Sequence, residues 1–196
     1  MTIPPSVTPC WSDLGTDAKR SRLLSAAGEV FAQQGIDAPM PAIAAAAGAG
    51  IGSVYRQFPS KHELLAALVI ERLEAVVGEA DAALGDAGGP WSALTELLWT
   101  LAERQAVDDV LAEGMATVSA DRSVQEALAE TMVALDRLLA AARTEGRLRP
   151  DATALDLRLL LAATRAARAL EPGAWRRMLE LGIDSLDSDA PRLSGR

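Results

Sequence analysis

The residues best suited to chemistry in this 196-residue chain lie between Gly52 and Lys61. Gly52, Ser53, Tyr55, Arg56, Gln57 and Lys61 bring hydroxyls, an amide and two cations together, and no carboxylate lies between Ala38 and His62. On a helix, Gly52, Ser53 and Arg56 share one face, with Tyr55 and Gln57 at its flanks. A donor-rich, acid-free face suits phosphate oxygens and the base edges of a DNA major groove. Gly52 costs about 1 kcal/mol in a helix relative to alanine. Close approach to a partner backbone explains it, and so does a crowded helix–helix contact. Catalysis is not indicated. The single His62, Cys10 and Tyr55 are scattered, with no triad grouping and no Glu-x-x-His pair. No catalytic residue, metal site or cofactor is expected, and one cysteine supports neither a disulfide framework nor a cysteine-based zinc site.

The net charge of −8 is unevenly distributed. From Ala18 to His62, Lys19, Arg20, Arg22, Arg56 and Lys61 outweigh Glu29 and Asp37, so this stretch carries +3 and the rest −11. The asymmetry suggests a small basic head on an acidic body. Lys19, Arg20 and Arg22 either contact phosphate or form a solvated face. The N-terminus lacks the basic and apolar regions of a signal peptide. The uncharged run Ala38–Tyr55 holds two prolines and three glycines, and its aliphatic residues are mainly Ala rather than Leu or Ile, so it is no membrane span. With its single thiol the chain fits a reduced, cytoplasmic setting.

These side chains require short, tightly crossed helices to hold them. A first helix over 17–34 is capped by Thr16 or Asp17 and stopped by Gly35, with Leu23, Leu24, Ala27, Val30 and Phe31 as its buried stripe. Pro41 opens a short helix to Ala47, Gly48 breaks it, and another runs from Ala49 or Gly50 to Gln57. Ala44, Ala45 and Ala47 permit a close crossing, Ile43 anchors it, and Ile51, Val54 and Phe58 face inward. Such a pair is a helix-turn-helix unit. Ser60 and Glu63 have capping-box spacing at the start of a long helix to about Leu84. Helices follow over 91–105, 107–118, 123–146 (with a second box at Ser123 and Glu126), 153–170 and 172–186, about nine in all. The segment from Asp187 onward is expected to fray.

The stretch IAAAAGAGIGSVYRQFPSKHELL (Ile43 to Leu65) resembles the signature of tetracycline-repressor-type (TetR family) regulators. Ile43-Ala44, Ala47-Gly48, Gly52, Ser53, Val54, Tyr55, Phe58 and Ser60-Lys61 match, Glu63 supplies the acidic helix-start residue, and the first-helix pattern ending VFAQQGID agrees. The motifs cover about residues 17–70; the body matches in architecture alone. The resemblance implies that Tyr55 and Lys61 touch phosphates, that Ser53 and Arg56 face the groove, that helices four to seven surround a ligand cavity, and that the last two form a dimer interface. Three departures stand out. Gly50 replaces a capping Ser or Thr, Gln57 replaces a His, and Pro39 replaces a Thr. They imply few phosphate contacts and a shallow salt dependence.

In the body, Trp91, Thr95 and Trp99 share a helical face, and Glu103, Met115, Met132 and Arg165 are further pocket candidates. They line a cavity for a lipophilic or planar effector, or they are plain core. Leu155, Leu159, Ala162, Ala163, Ala166 and Leu170 on the eighth helix, with Trp175, Met178, Leu179 and Ile183 on the ninth, supply half of a four-helix dimer interface or an intrachain core. The expected organisation is all-α: a flexible tail (1–16), a helix-turn-helix domain (17–62), a ligand-binding and dimerisation domain (63–187) and a tail (188–196). The expected function is a repressor that binds a palindromic double-stranded DNA operator as a homodimer and is released by a small-molecule effector. The competing reading is a helical ligand-binding or adaptor protein whose DNA binding is weak or lost.

Overall fold

The structure, a computed structural model, describes residues 10–107 and 110–189. These residues fold into α1 (Thr16–Gln34), α2 (Met40–Ala47), α3 (Ile51–Gln57), α4 (Lys61–Ala83), α5 (Pro90–Val107), α6 (Val110–Val118), α7 (Arg122–Glu145), α8 (Ala154–Leu170) and α9 (Ala174–Leu186), preceded by a 3₁₀ turn at Trp11–Asp13. The all-α class is as expected. None of these helices is long and apolar enough to cross a membrane.

The chain separates into two compact units, and the division falls inside α4 after Val69, not at residue 62. Unit 1 holds α1 to α3, the start of α4, and α6. Leu23, Leu24, Ala27, Val30 and Phe31 are buried along α1, as their spacing requires. Gly35 ends α1 at φ 80°, but Gly15, with no side-chain cap, stands at its start in place of Thr16 or Asp17. The expected tail shortens because Trp11–Asp13 coil into a turn and the Lys19 ammonium lies 6.0 Å over the Trp11 ring; residues 1–9 of that tail lie outside the described residues. In this unit α6 packs against α1 and also meets α4 at Gly114. A Cβ there would come within 2.8 Å of Val69 and 3.2 Å of Leu65, so only glycine lets α6 lie this close to α4.

Unit 2 is built from the rest of α4 with α5, α7, α8 and α9. Its centre is filled by Leu94, Leu98, Leu138, Leu139, Leu157 and Leu179. At Gly182 a Cβ would stand 2.0 Å from the Leu160 side chain, so the leucine of α8 packs directly onto the α9 backbone. The second capping box is not at Ser123: α7 starts one residue earlier with Asp121 as N-cap, and Glu126 is held by Arg122 at 2.8 Å. The box forms instead at α8, where Thr153 and Asp156 cap each other's backbone. The C-terminal segment does not fray at Asp187. The Arg149 N–H donates to the Leu186 carbonyl (2.9 Å) and the Ser188 N–H to the Arg147 carbonyl (2.8 Å). Asp187 is held below the usual carboxylate range by the Asp189 backbone N–H and by Arg147. Residues 190–196 lie outside the described residues.

Candidate nucleic-acid interface

The turn between α2 and α3 is set by backbone conformation. Gly48 sits in the left-handed region at φ 64°, where its own N–H reaches the Ala45 carbonyl and that of Ala49 reaches Ala44. This ends α2 abruptly, because a side chain at that φ is strained. Ile43, Ala44 and Ala47 are buried on α2, with Val54 and Phe58 at the α3 end. Ala45, expected at the crossing, is exposed. Gly50 is the N-cap of α3 and supplies no side-chain cap, which agrees with the missing hydroxyl noted from sequence.

With Val54 and Phe58 inward, α3 turns its other face to solvent. Gly52, Tyr55 and Arg56 are exposed, while Ser53 and Gln57 are half-buried at its margins. A Cβ on Gly52 would meet nothing within 4 Å, which removes a crowded helix contact as the reason for that glycine. The Arg56 Nε donates to the Gly52 carbonyl at 3.2 Å, folding the side chain along its own helix. Lys61 opens α4, its ammonium 5.9 Å over the Phe31 ring. Beside it the Ser60 hydroxyl accepts the Glu63 N–H at 3.1 Å and donates to the Glu63 carboxylate at 3.2 Å. The cap fixes the turn from which Lys61 projects.

Ile51 departs from expectation. It is 42% exposed, and Val54 is the buried residue of α3. Two cations of α1, in contrast, converge on the helix-turn-helix. The Arg20 guanidinium stacks 4.5 Å from the Phe58 ring, and an Arg22 terminal nitrogen lies 3.1 Å from where a Gly48 Cβ would stand. The cluster Lys19, Arg20 and Arg22 was visible in the sequence, but its partners at positions 48 and 58 were not. The basic character belongs to this face and not to the whole unit, since unit 1 also contains Asp13, Asp17, Glu63 and Glu113.

The seven residues expected around a ligand cavity are divided. Met115 lies in unit 1 and the other six in unit 2. Trp91, Thr95 and Trp99 are all half-buried along α5. Trp99 meets Trp175 edge-on at 6.1 Å. The Trp91 ring lies beneath Arg147 at 5.5 Å, and the Trp91 backbone N–H donates to the Glu145 carboxylate at 2.8 Å. The Thr95 hydroxyl donates to the Ser92 carbonyl at 2.8 Å. Met132 and Arg165 are half-buried and Glu103 is exposed. A groove of about 340 Å³ opens between α8 and α9, and none of the seven lines it. Of the ninth-helix residues expected at a dimer face, Trp175 and Leu179 are buried within unit 2. On α8, Leu155, Leu159 and Leu170 are exposed by 53%, 58% and 89%.

Comparison with known proteins agrees with this geometry. Residues 23–68 match the family model of bacterial regulatory proteins, tetR family, and residues 89–188 that of the SbtR-like transcriptional regulator C-terminal domain. The chain is 30% identical over 141 residues to the HTH-type transcriptional repressor KstR of Mycolicibacterium smegmatis, covering 69% of each protein. Among solved structures, a TetR transcription regulatory protein from Mycobacterium vanbaalenii is 34% identical with TM-score 0.61, over 80% of this chain and 94% of that one. A TetR transcriptional regulator from Streptomyces coelicolor is 26% identical with TM-score 0.68, over 87% and 99%. The chain belongs to the TetR family of DNA-binding transcriptional regulators.

Proposed function

We propose that the chain represses transcription in the cytoplasm by docking α3 into the major groove of a palindromic operator, as a homodimer joined through α8 and α9. It acts by binding and not by catalysis. The observation that carries the reading is the exposed, acid-free face of α3, held outward by buried Val54 and Phe58, with Arg20 over Phe58, Arg22 beside Gly48 and Lys61 at the start of α4. In this reading Tyr55 and Lys61 contact phosphates, Ser53, Arg56 and Gln57 approach base edges, and Gly52 lets the DNA backbone come close. Arg56 exchanges its bond to the Gly52 carbonyl for DNA. A small effector, apolar in its main part, binds unit 2 among Trp91, Thr95, Trp99, Met132 and Arg165. It shifts the population away from the DNA-competent arrangement, with α4, continuous through the division, carrying the change.

For the dimer, the support is the solvent-open stripe Leu155, Leu159, Ala162, Ala166 and Leu170 on α8, beside the groove lined by Ala163, Met178 and Gly182. Contiguous exposed apolar surface of this kind marks an association site. The test is selection of bound sequences from a random DNA pool. A two-fold symmetric site is expected, because a two-fold dimer reads two half-sites. On the selected operator, Tyr55→Ala and Lys61→Ala lower affinity on all sequences alike, while Arg56→Ala also alters sequence preference. Unchanged binding by the first two variants, or no enriched sequence, defeats the proposal in favour of a ligand-binding or adaptor protein.

A further inference from the structure

Val54, three residues beyond Ile51, is fully buried, yet Ile51 itself is 42% exposed. It is the first residue of α3 and stands between Gly50 and Gly52, at neither of which would a Cβ meet any atom within 4 Å. Helical side chains lean toward the N-terminus, and there Gly50 offers no side chain for Ile51 to cover. Tyr55, one turn on, is 47% exposed. Single exposed aliphatics are ordinary on protein surfaces. This one projects between two glycines on an acid-free face whose other large apolar surface is the Tyr55 ring. The major-groove edge of DNA has one apolar feature, the C5-methyl group of thymine. Ser53, Arg56 and Gln57 carry only polar groups at their ends and cannot use it.

We propose that Ile51 packs against the methyl group of a thymine in each half-site and so makes that thymine part of the operator's sequence requirement. The inference rests on the DNA-binding reading of α3. The operator selected from the random pool is resynthesised with deoxyuridine at each thymine in turn, which removes the methyl and keeps the base pairing. The wild-type protein is expected to lose about fourfold in affinity at one thymine of a half-site, and about fifteenfold when both half-sites carry the change, as for one buried methyl-sized group each. Ile51→Ala binds the thymine operator at least as weakly as the wild type binds the deoxyuridine one, and is indifferent to that replacement. Tyr55→Ala keeps the methyl dependence at lower overall affinity.

A flat deoxyuridine scan with the wild type overturns the inference, and so does a methyl penalty that survives undiminished in Ile51→Ala. The wild-type scan does not depend on the variant folding. If no operator is selected at all, the DNA-binding reading fails with it. If an operator is found and its thymine methyls are silent, the Ile51 inference fails alone.

Discussion

Gly52 separates two demands that usually coincide. It sits inside α3 with open space around the missing side chain, so alanine fits without a clash and removes the helix penalty of glycine. Gly52→Ala is expected to stabilise the protein by up to about 1 kcal/mol in thermal or denaturant unfolding. Its operator affinity, followed by fluorescence anisotropy, is expected to fall as the added methyl holds off the DNA backbone. A stabilised variant with unchanged affinity would mean that no partner closes on this position. Gly48 is a different glycine, needed for its positive φ and for the space occupied by Arg22. Both glycines were visible in the sequence, and Gly48 was legible as a helix stop because that role is local. The reason for Gly52 was not legible, since crowding and openness give the same letter. Ile51 was misplaced because spacing from Val54 fixes an angle about the helix and not the presence of a neighbour.

At the scale of elements, three capping patterns behaved differently. Ser60 and Glu63 cap α4, Thr153 and Asp156 cap α8, and Ser123 with Glu126, identical in type to the first pair, caps nothing. Asp121 and the Arg122–Glu126 ion pair let α7 begin earlier, which moves Ser123 inside the helix. Thr153→Ala should therefore cost about 1 kcal/mol, while Ser123→Ala stays within about 0.5 kcal/mol; denaturant midpoints distinguish them. Equal losses would restore the box at Ser123. The ends of α2, α3 and α4 were legible within a residue or two, because prolines, glycines and caps act on their own neighbours. The 3₁₀ turn before α1 was missed for lack of any local apolar period.

The assembly is decided at the scale of the whole molecule. Leu159→Glu puts a charge on the exposed α8 stripe beside the groove, and it should turn the proposed dimer into monomer in sedimentation while helicity stays unchanged. Operator affinity should then fall by two orders of magnitude or more, because linked half-site binding is lost. A Leu159→Glu protein that remains dimeric would move the interface elsewhere. Sequence alone determined the all-α class, the helix-turn-helix, the acid-free stretch that forms the exposed face of α3 and the family resemblance. All of these depend on helical period, turn glycines and motif residues close together in the chain. Tertiary structure decided which apolar positions face inward, with Trp175 and Leu179 buried and Leu155 and Leu159 exposed. It also placed α6 in unit 1, stacked Arg20 on Phe58, and pinned residues 187–189 to the turn after α7. Each of these depends on a partner tens of residues away, and the identity of that partner is settled only when close packing brings the two together.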